Sequence, residues 1–161
     1  YLNKEQIELQ GNRIKSLKAT NATIYGNISL SSGSHTWELR IVKRPKDSDH
    51  QQPFIGFIKD DPRVLEKFVA SFRWHLNDNG YIYCCGDGTH GYNWNIEGCK
   101  EKCKNDNDIL DITLNLDECK IYLSINGEEA FVPQSFANIR EGKYRLVVTL
   151  HKGKDTIIEL L

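Results

Sequence analysis

The chain has 161 residues, 39% of them hydrophobic and 27% charged, and a formal net charge of −1. That is enough for one domain with its own core, and a near-neutral balance gives no general attraction to nucleic acid or an anionic membrane. No apolar run approaches the roughly 20 residues that span a bilayer, and Tyr1-Leu2-Asn3-Lys4-Glu5 is not a secretory signal. The sequence contains no Met, so it reads as a single domain over 1–161, excised from a longer protein. Five Cys (84, 85, 99, 103 and 119) cannot all pair within one chain, which favours reduced thiols and a cytoplasmic, intracellular setting. Asn21-Ala22-Thr23 and Asn27-Ile28-Ser29 fit the glycosylation triplet and are a minority argument for export.

In chain order, Ile7-Glu8-Leu9 and Arg13-Ile14-Lys15-Ser16-Leu17 flank Gln10-Gly11-Asn12, a hairpin signal. Ala22 to Gly26 gives another short strand. Ser31-Ser32-Gly33-Ser34 turns into an alternating stretch in which Trp37, Leu39 and Ile41 share one face, and Trp37 is the expected anchor of a sheet core. Residues 44–53 form a polar loop. Phe54-Ile55-Gly56-Phe57-Ile58 is apolar at nearly every position, as in a strand buried on both sides. Asp61 can cap and Pro62 can start a short helix that reaches Phe68.

Phe72, Trp74 and Leu76 alternate, 77–80 turn, and Tyr81 to Cys85 return as a strand. Residues 86–108 carry four Gly, His90, Tyr92, Trp94, Cys99 and Cys103 with little periodicity, the mark of a functional or lineage-specific connection. Leu110, Ile112, Leu114 and Leu116 then alternate, as do Ile121, Leu123 and Ile125 after a turn at Asp117-Glu118. Asn126-Gly127 is a strong hairpin signal. Leu146, Val148 and Leu150 alternate, 151–155 turn, and 156–161 close the sheet. Many short strands with one good helix predict an all-β, antiparallel sandwich of two sheets with one or two short helices.

If successive strands alternate in direction, loop 59–71 and loop 86–108 converge at one end. Loops on a rigid sheet, with aromatic and Arg anchors, are the usual layout of a recognition site. The candidate contact residues there are Arg63, Phe68, His90, Tyr92 and Trp94.

Catalytic and metal chemistry finds little support. Cys99-x3-Cys103 has zinc-compatible spacing, yet a second tight pair is missing and adjacent Cys84 and Cys85 point to opposite faces of a strand. Asp106-Asn107-Asp108 lacks the Gly and terminal Glu of a calcium loop and reads as a solvated turn. No phosphate loop, nucleophile elbow or His-Glu-x-x-His motif is present. The expectation is no enzyme, no metal and no cofactor.

Gly33-x-His35-x-Trp37-Glu38 opening a strand resembles the signature of the SPRY domain, with Thr36 where that family usually has Tyr. Ile55-Gly56-Phe57, the 109–127 stretch ending in Asn126-Gly127, and Phe136-Ala137-Asn138 follow in the family's order, so the resemblance covers nearly the whole chain. It implies a concanavalin-like sandwich of two bent sheets. It also implies a non-catalytic interaction module, monomeric in isolation, that recruits a protein or peptide. By the same resemblance the binding surface includes 18–23 and 151–154, which adds His151 and Lys152 to the candidates. Such modules sit in ubiquitin ligases, adaptors, helicases or channels. The alternative is a carbohydrate-binding domain with Tyr92 and Trp94 stacking on sugar; a third reading is a structural domain packed on its own parent protein.

Overall fold

Strict alternation in two long segments sets the frame. In the computed structural model, Ser34–Lys43 (β4) and Asp108–Asn115 (β7) pair antiparallel from Ser34↔Asn115 to Ile41↔Asp108. One residue in two then faces inward, and Leu39, Ile41, Leu110, Ile112 and Leu114 are buried while Thr36 and Glu38 are exposed. The structure describes residues 5, 7–17, 22–43, 54–62, 81–85, 105–130, 142–150 and 155–161. The other strands are β1 (Ile7–Gln10), β2 (Arg13–Ser16), β3 (Ala22–Tyr25), β5 (Phe54–Lys59), β6 (Tyr81–Cys85), β8 (Lys120–Ile125), β9 (Glu128–Ala130), β10 (Tyr144–Leu150) and β11 (Ile157–Leu160).

They form a seven-stranded sheet, β1-β2-β11-β4-β7-β8-β9, and a four-stranded sheet, β3-β10-β5-β6, with every pairing antiparallel. The predicted all-β sandwich is therefore the observed fold. The predicted helix beyond Pro62 and the predicted strand at 72–76 lie outside the described residues.

One cluster unites the two inner faces, with Leu39, Ile41, Leu110, Ile112 and Ile158 on one side and Ile55, Phe57, Leu146, Val148 and Leu150 on the other. Among the described residues, Phe57 is the largest fully buried side chain. Trp37, expected as the anchor, is only partly buried and packs against Phe57 with ring centroids 5.4 Å apart. A side chain that large rarely buries completely. The four-stranded sheet is covered on both faces at β3, β5 and β10. Ile58, Val147, Thr23 and Thr149 fall on its outer side by alternation, yet all are fully buried. There the two Thr hydroxyls share a 2.9 Å hydrogen bond. The outer face of the seven-stranded sheet is instead polar, with Thr36 bonded to Thr113 and Glu159 held between Arg13 and Arg40.

The turn residues have specific duties. Gly33 adopts φ +81°, donates its N–H to Asp117 Oδ1 at 2.8 Å and accepts the Leu116 N–H at 2.9 Å. His35 Nε2 donates to the Ser32 carbonyl at 2.7 Å. The Gly-x-His-x-Trp stretch thus ties the start of β4 to the β7–β8 turn. Asn126 and Gly127 both have positive φ, 53° and 80°, as a two-residue hairpin turn of the primed type demands. Phe57→Ala is expected to lower stability by about 3–5 kcal/mol. Thr36→Ala, on the solvent face, should cost less than about 1 kcal/mol. Urea unfolding of the two variants checks the contrast.

Candidate functional site

The strand registers decide which connections share an end. β5 and β6 are direct antiparallel neighbours, with Ile58 opposite Tyr81 and Ile55 opposite Cys85. The chain therefore leaves β5 at one end of the sandwich, re-enters β6 at that same end, and leaves β6 at the other. The expectation that loops 59–71 and 86–108 converge rested on β5 and β6 finishing at the same end, and they finish at opposite ends. The expectation counted one further strand, at 72–76, between β5 and β6.

A different set of connections comes together. β10 pairs β3 with Leu150 opposite Ala22, and β5 with Thr149 opposite Phe54. The ends of β10 and β6 and the starts of β3 and β5 therefore lie together in the four-stranded sheet. In the other sheet Ile157 stands opposite Lys15 and Lys43, and Ile41 opposite Asp108. That groups the ends of β2 and β4 with the starts of β11 and β7. Residues 18–21, 44–53, 86–104 and 151–154 each run between these two groups, so all four are tethered to one end.

The framework at this end is closely tied. Ser16 donates its N–H to the Thr156 carbonyl at 2.9 Å and accepts the Asp155 N–H at 3.1 Å. Asn107, at φ 69°, donates its N–H to the Ile41 carbonyl at 2.6 Å. Asp108 is only 5% exposed. Its Oδ2 accepts the Asn105 N–H at 2.7 Å and its Oδ1 accepts Asn126 Nδ2–H at 2.9 Å. Asn126 Oδ1 in turn accepts the Ile109 N–H at 2.9 Å, and the Asn126 N–H donates to the Ile109 carbonyl at 2.8 Å. The sequence reading of 106–108 as a solvated turn holds for Asp106 and Asn107 and fails for Asp108. The available signal was an Asp at a strand start eighteen positions before an Asn-Gly turn.

The opposite end is held by charge. Arg145 Nε lies 2.8 Å from Asp60 Oδ1, and Arg145 Nη2 donates to Oδ2 at 3.0 Å. Arg145 Nη1 also donates to the carbonyls of Gly26 and Asn27, both at 3.2 Å. One guanidinium thus joins β10, the end of β5 and the 26–30 segment. In the sequence Asp60 stands out only as part of a helix start. The hydrogen bond from Arg145 holds the Asp60 carboxyl below its ordinary 3.8, against a smaller opposing effect of burial.

All seven candidate contact residues, Arg63, Phe68, His90, Tyr92, Trp94, His151 and Lys152, lie outside the described residues. Their tethers differ. His90, Tyr92 and Trp94 belong to 86–104 and His151 and Lys152 to 151–154, at the end framed by Asp108. Arg63 and Phe68 belong to the segment that leaves β5 at the end framed by Arg145. Cys99 and Cys103 are likewise outside the described residues. Among the described residues, no group of three or more His, Cys, Asp or Glu is placed to hold a metal ion, and no helix is long and apolar enough to cross a membrane.

The chain matches no family model. A 36-residue stretch is 44% identical to human WD repeat-containing protein 43, covering 22% of this chain and 5% of that protein's length. The SPRY domain of human HERC1 has a TM-score of 0.61 at 12% identity, covering 99% of this chain and 96% of that one. The fold is a SPRY fold. The NEUZ (NHR) domain of Neuralized from Drosophila melanogaster also gives 0.61, at 15% identity, covering 96% of this chain and 83% of that one. The TRIM65 PSpry domain gives 0.56 at 11% identity, covering 99% and 88%.

Within this SPRY fold the Arg145–Asp60 tie carries a pH signature. Because the folded pKa is depressed, its contribution is present above pH 3.8 and is lost as pH falls through the lower folded value. Asp60→Asn should therefore flatten the acid limb of the stability curve below about pH 4. Arg145→Ala should cost about 1–3 kcal/mol at pH 7. Thermal melts between pH 2 and pH 7 read both effects.

Proposed function

We propose that this domain is a non-catalytic interaction module that binds a protein or peptide at the end framed by Asp108, and so brings it to a larger protein. The observation that carries the reading is the tethering of 18–21, 44–53, 86–104 and 151–154 at one end of a rigid sandwich. Rigid sheets displaying several segments together are the ordinary platform for recognition. The likeness in fold to SPRY and NHR domains supports the same class of function.

The chemistry in these segments fits. His90, Tyr92 and Trp94 supply aromatic and imidazole anchors, and aromatic residues dominate interface energetics. The four segments together hold eight Lys and Arg against five Asp and Glu, in a chain whose net charge is −1. The partner surface is accordingly acidic, and its capture depends on salt. Arg63 and Phe68 are left out of the proposed surface, because the segment that carries them leaves β5 at the other end. The domain works as a monomer, in the cytoplasm.

The test is capture from the native cell extract with three baits of equal melting temperature. These are the wild type, Tyr92→Ala/Trp94→Ala/Lys152→Glu, and Arg63→Glu/Phe68→Ala. The first variant should bind the retained protein at least about 30-fold more weakly, the effect of losing about 2 kcal/mol. The second should bind like wild type, and raising the salt from about 0.05 to about 0.5 M should weaken capture. Loss with Arg63→Glu/Phe68→Ala instead would place recognition at the other end. Glycans that raise the melting temperature, with no protein retained, would move the function to carbohydrate binding.

A further inference from the structure

We propose that Asp108 and Asn126 are a positioning pair, which fixes the point at which 86–104 rejoins the seven-stranded sheet and so holds the recognition end in shape. The inference rests on the proposed function, in which this end binds the partner.

The argument starts from what each polar atom can do. Asn126 Oδ1 faces a backbone donor, the Ile109 N–H, so the amide is fixed with its Nδ2–H toward Asp108. Asp108 must then present an acceptor to Asn126 and a second acceptor to the Asn105 N–H, and only a carboxylate offers both without rotation. Asn105 is the first described residue after 86–104. Its tether therefore runs from Asn105 through the buried Asp108 carboxylate to Asn126, at the β8–β9 turn. The neighbouring Asn107–Ile41 bond ties the same point to β4 near the departure of 44–53. Two of the four segments are thus referenced to one short stretch, Asn105 to Asp108.

The pairing is reciprocal, which makes it testable. In Asp108→Asn alone, either the Asn105 N–H loses its acceptor or two amide donors meet. In Asn126→Asp alone, two carboxylate oxygens meet in a site where one group is nearly buried. In the double variant Asp108→Asn/Asn126→Asp, the three side-chain bonds that join Asn105, residue 108, residue 126 and Ile109 are restored. The new carboxylate accepts from the Ile109 N–H and from the new amide, whose oxygen accepts the Asn105 N–H. The backbone at 126, φ 53°, suits Asp as it suits Asn.

The experiment is limited trypsin digestion of the native domain, timed by mass spectrometry at Lys100, Lys102 and Lys104, with Lys59 and Lys143 at the other end as internal controls. When opening is fast relative to cleavage, the rate follows the local opening equilibrium. Each single variant should be cut about tenfold faster at Lys100–Lys104 and less than about twofold faster at the controls, and the double variant should return to within about twofold of wild type. An equal rise at all sites, no rise, or no recovery in the double variant overturns the pair's positioning role. Capture runs alongside: the singles should lose the protein that wild type retains, and the double variant should regain it. If cleavage behaves as expected while Tyr92→Ala/Trp94→Ala leaves capture unchanged, recognition at this end falls and the pair's role stands. If Tyr92→Ala/Trp94→Ala abolishes capture while the single variants are cut like wild type, recognition at this end stands and the pair's role falls.

Discussion

The pairing of β4 with β7 is the constraint on which the other strands depend. It fixes eight positions across the middle of the larger sheet, from Ser34↔Asn115 to Ile41↔Asp108. A slip of one residue would turn Leu39, Ile41, Leu110, Ile112 and Leu114 to solvent and bury Glu38, Asp111 and Thr113. Both the hydrophobic and the polar side of that exchange oppose it, so the register is set twice over. β11 and β8 then take their phase from β4 and β7, with Ile158 against Ile41 and Leu123 against Ile112.

Most of this frame was legible because alternation is a local property. Residues 109–125 announce two strands by spacing alone, and Asn126-Gly127 names its turn because few other pairs accept two successive positive φ values. Gly33 was legible for a related reason. Its φ of +81° and its two hydrogen bonds to the β7–β8 turn explain why that motif needs Gly at its head.

What was not legible is non-local. Spacing tells where a strand is and not which strand lies beside it, so the direction of β6 depended on a guess about 72–76. The direct β5–β6 pairing settles that direction and puts the start of 86–104 at the end away from Asp60. Asp108 was misread for a similar reason. It is hydrogen-bonded to Asn126, eighteen positions on, and an acidic residue beside Asp106 and Asn107 looks solvated until that partner is in place. Arg145 shows the same limit, since its targets Asp60, Gly26 and Asn27 come from two distant parts of the chain.

The tethering of four segments at one end also separates two kinds of sequence change. Each segment is anchored at both ends by strands whose register is set elsewhere in the sheets. Lengthening such a segment adds only a slowly growing closure entropy, about 0.6 kcal/mol for each doubling. A lineage could therefore rewrite these stretches, in composition or in length, at small expense to folding, while a single misplaced residue in β4 or β7 would be purged. The domain divides into a part that inheritance must copy faithfully and a part in which new specificities can be tried.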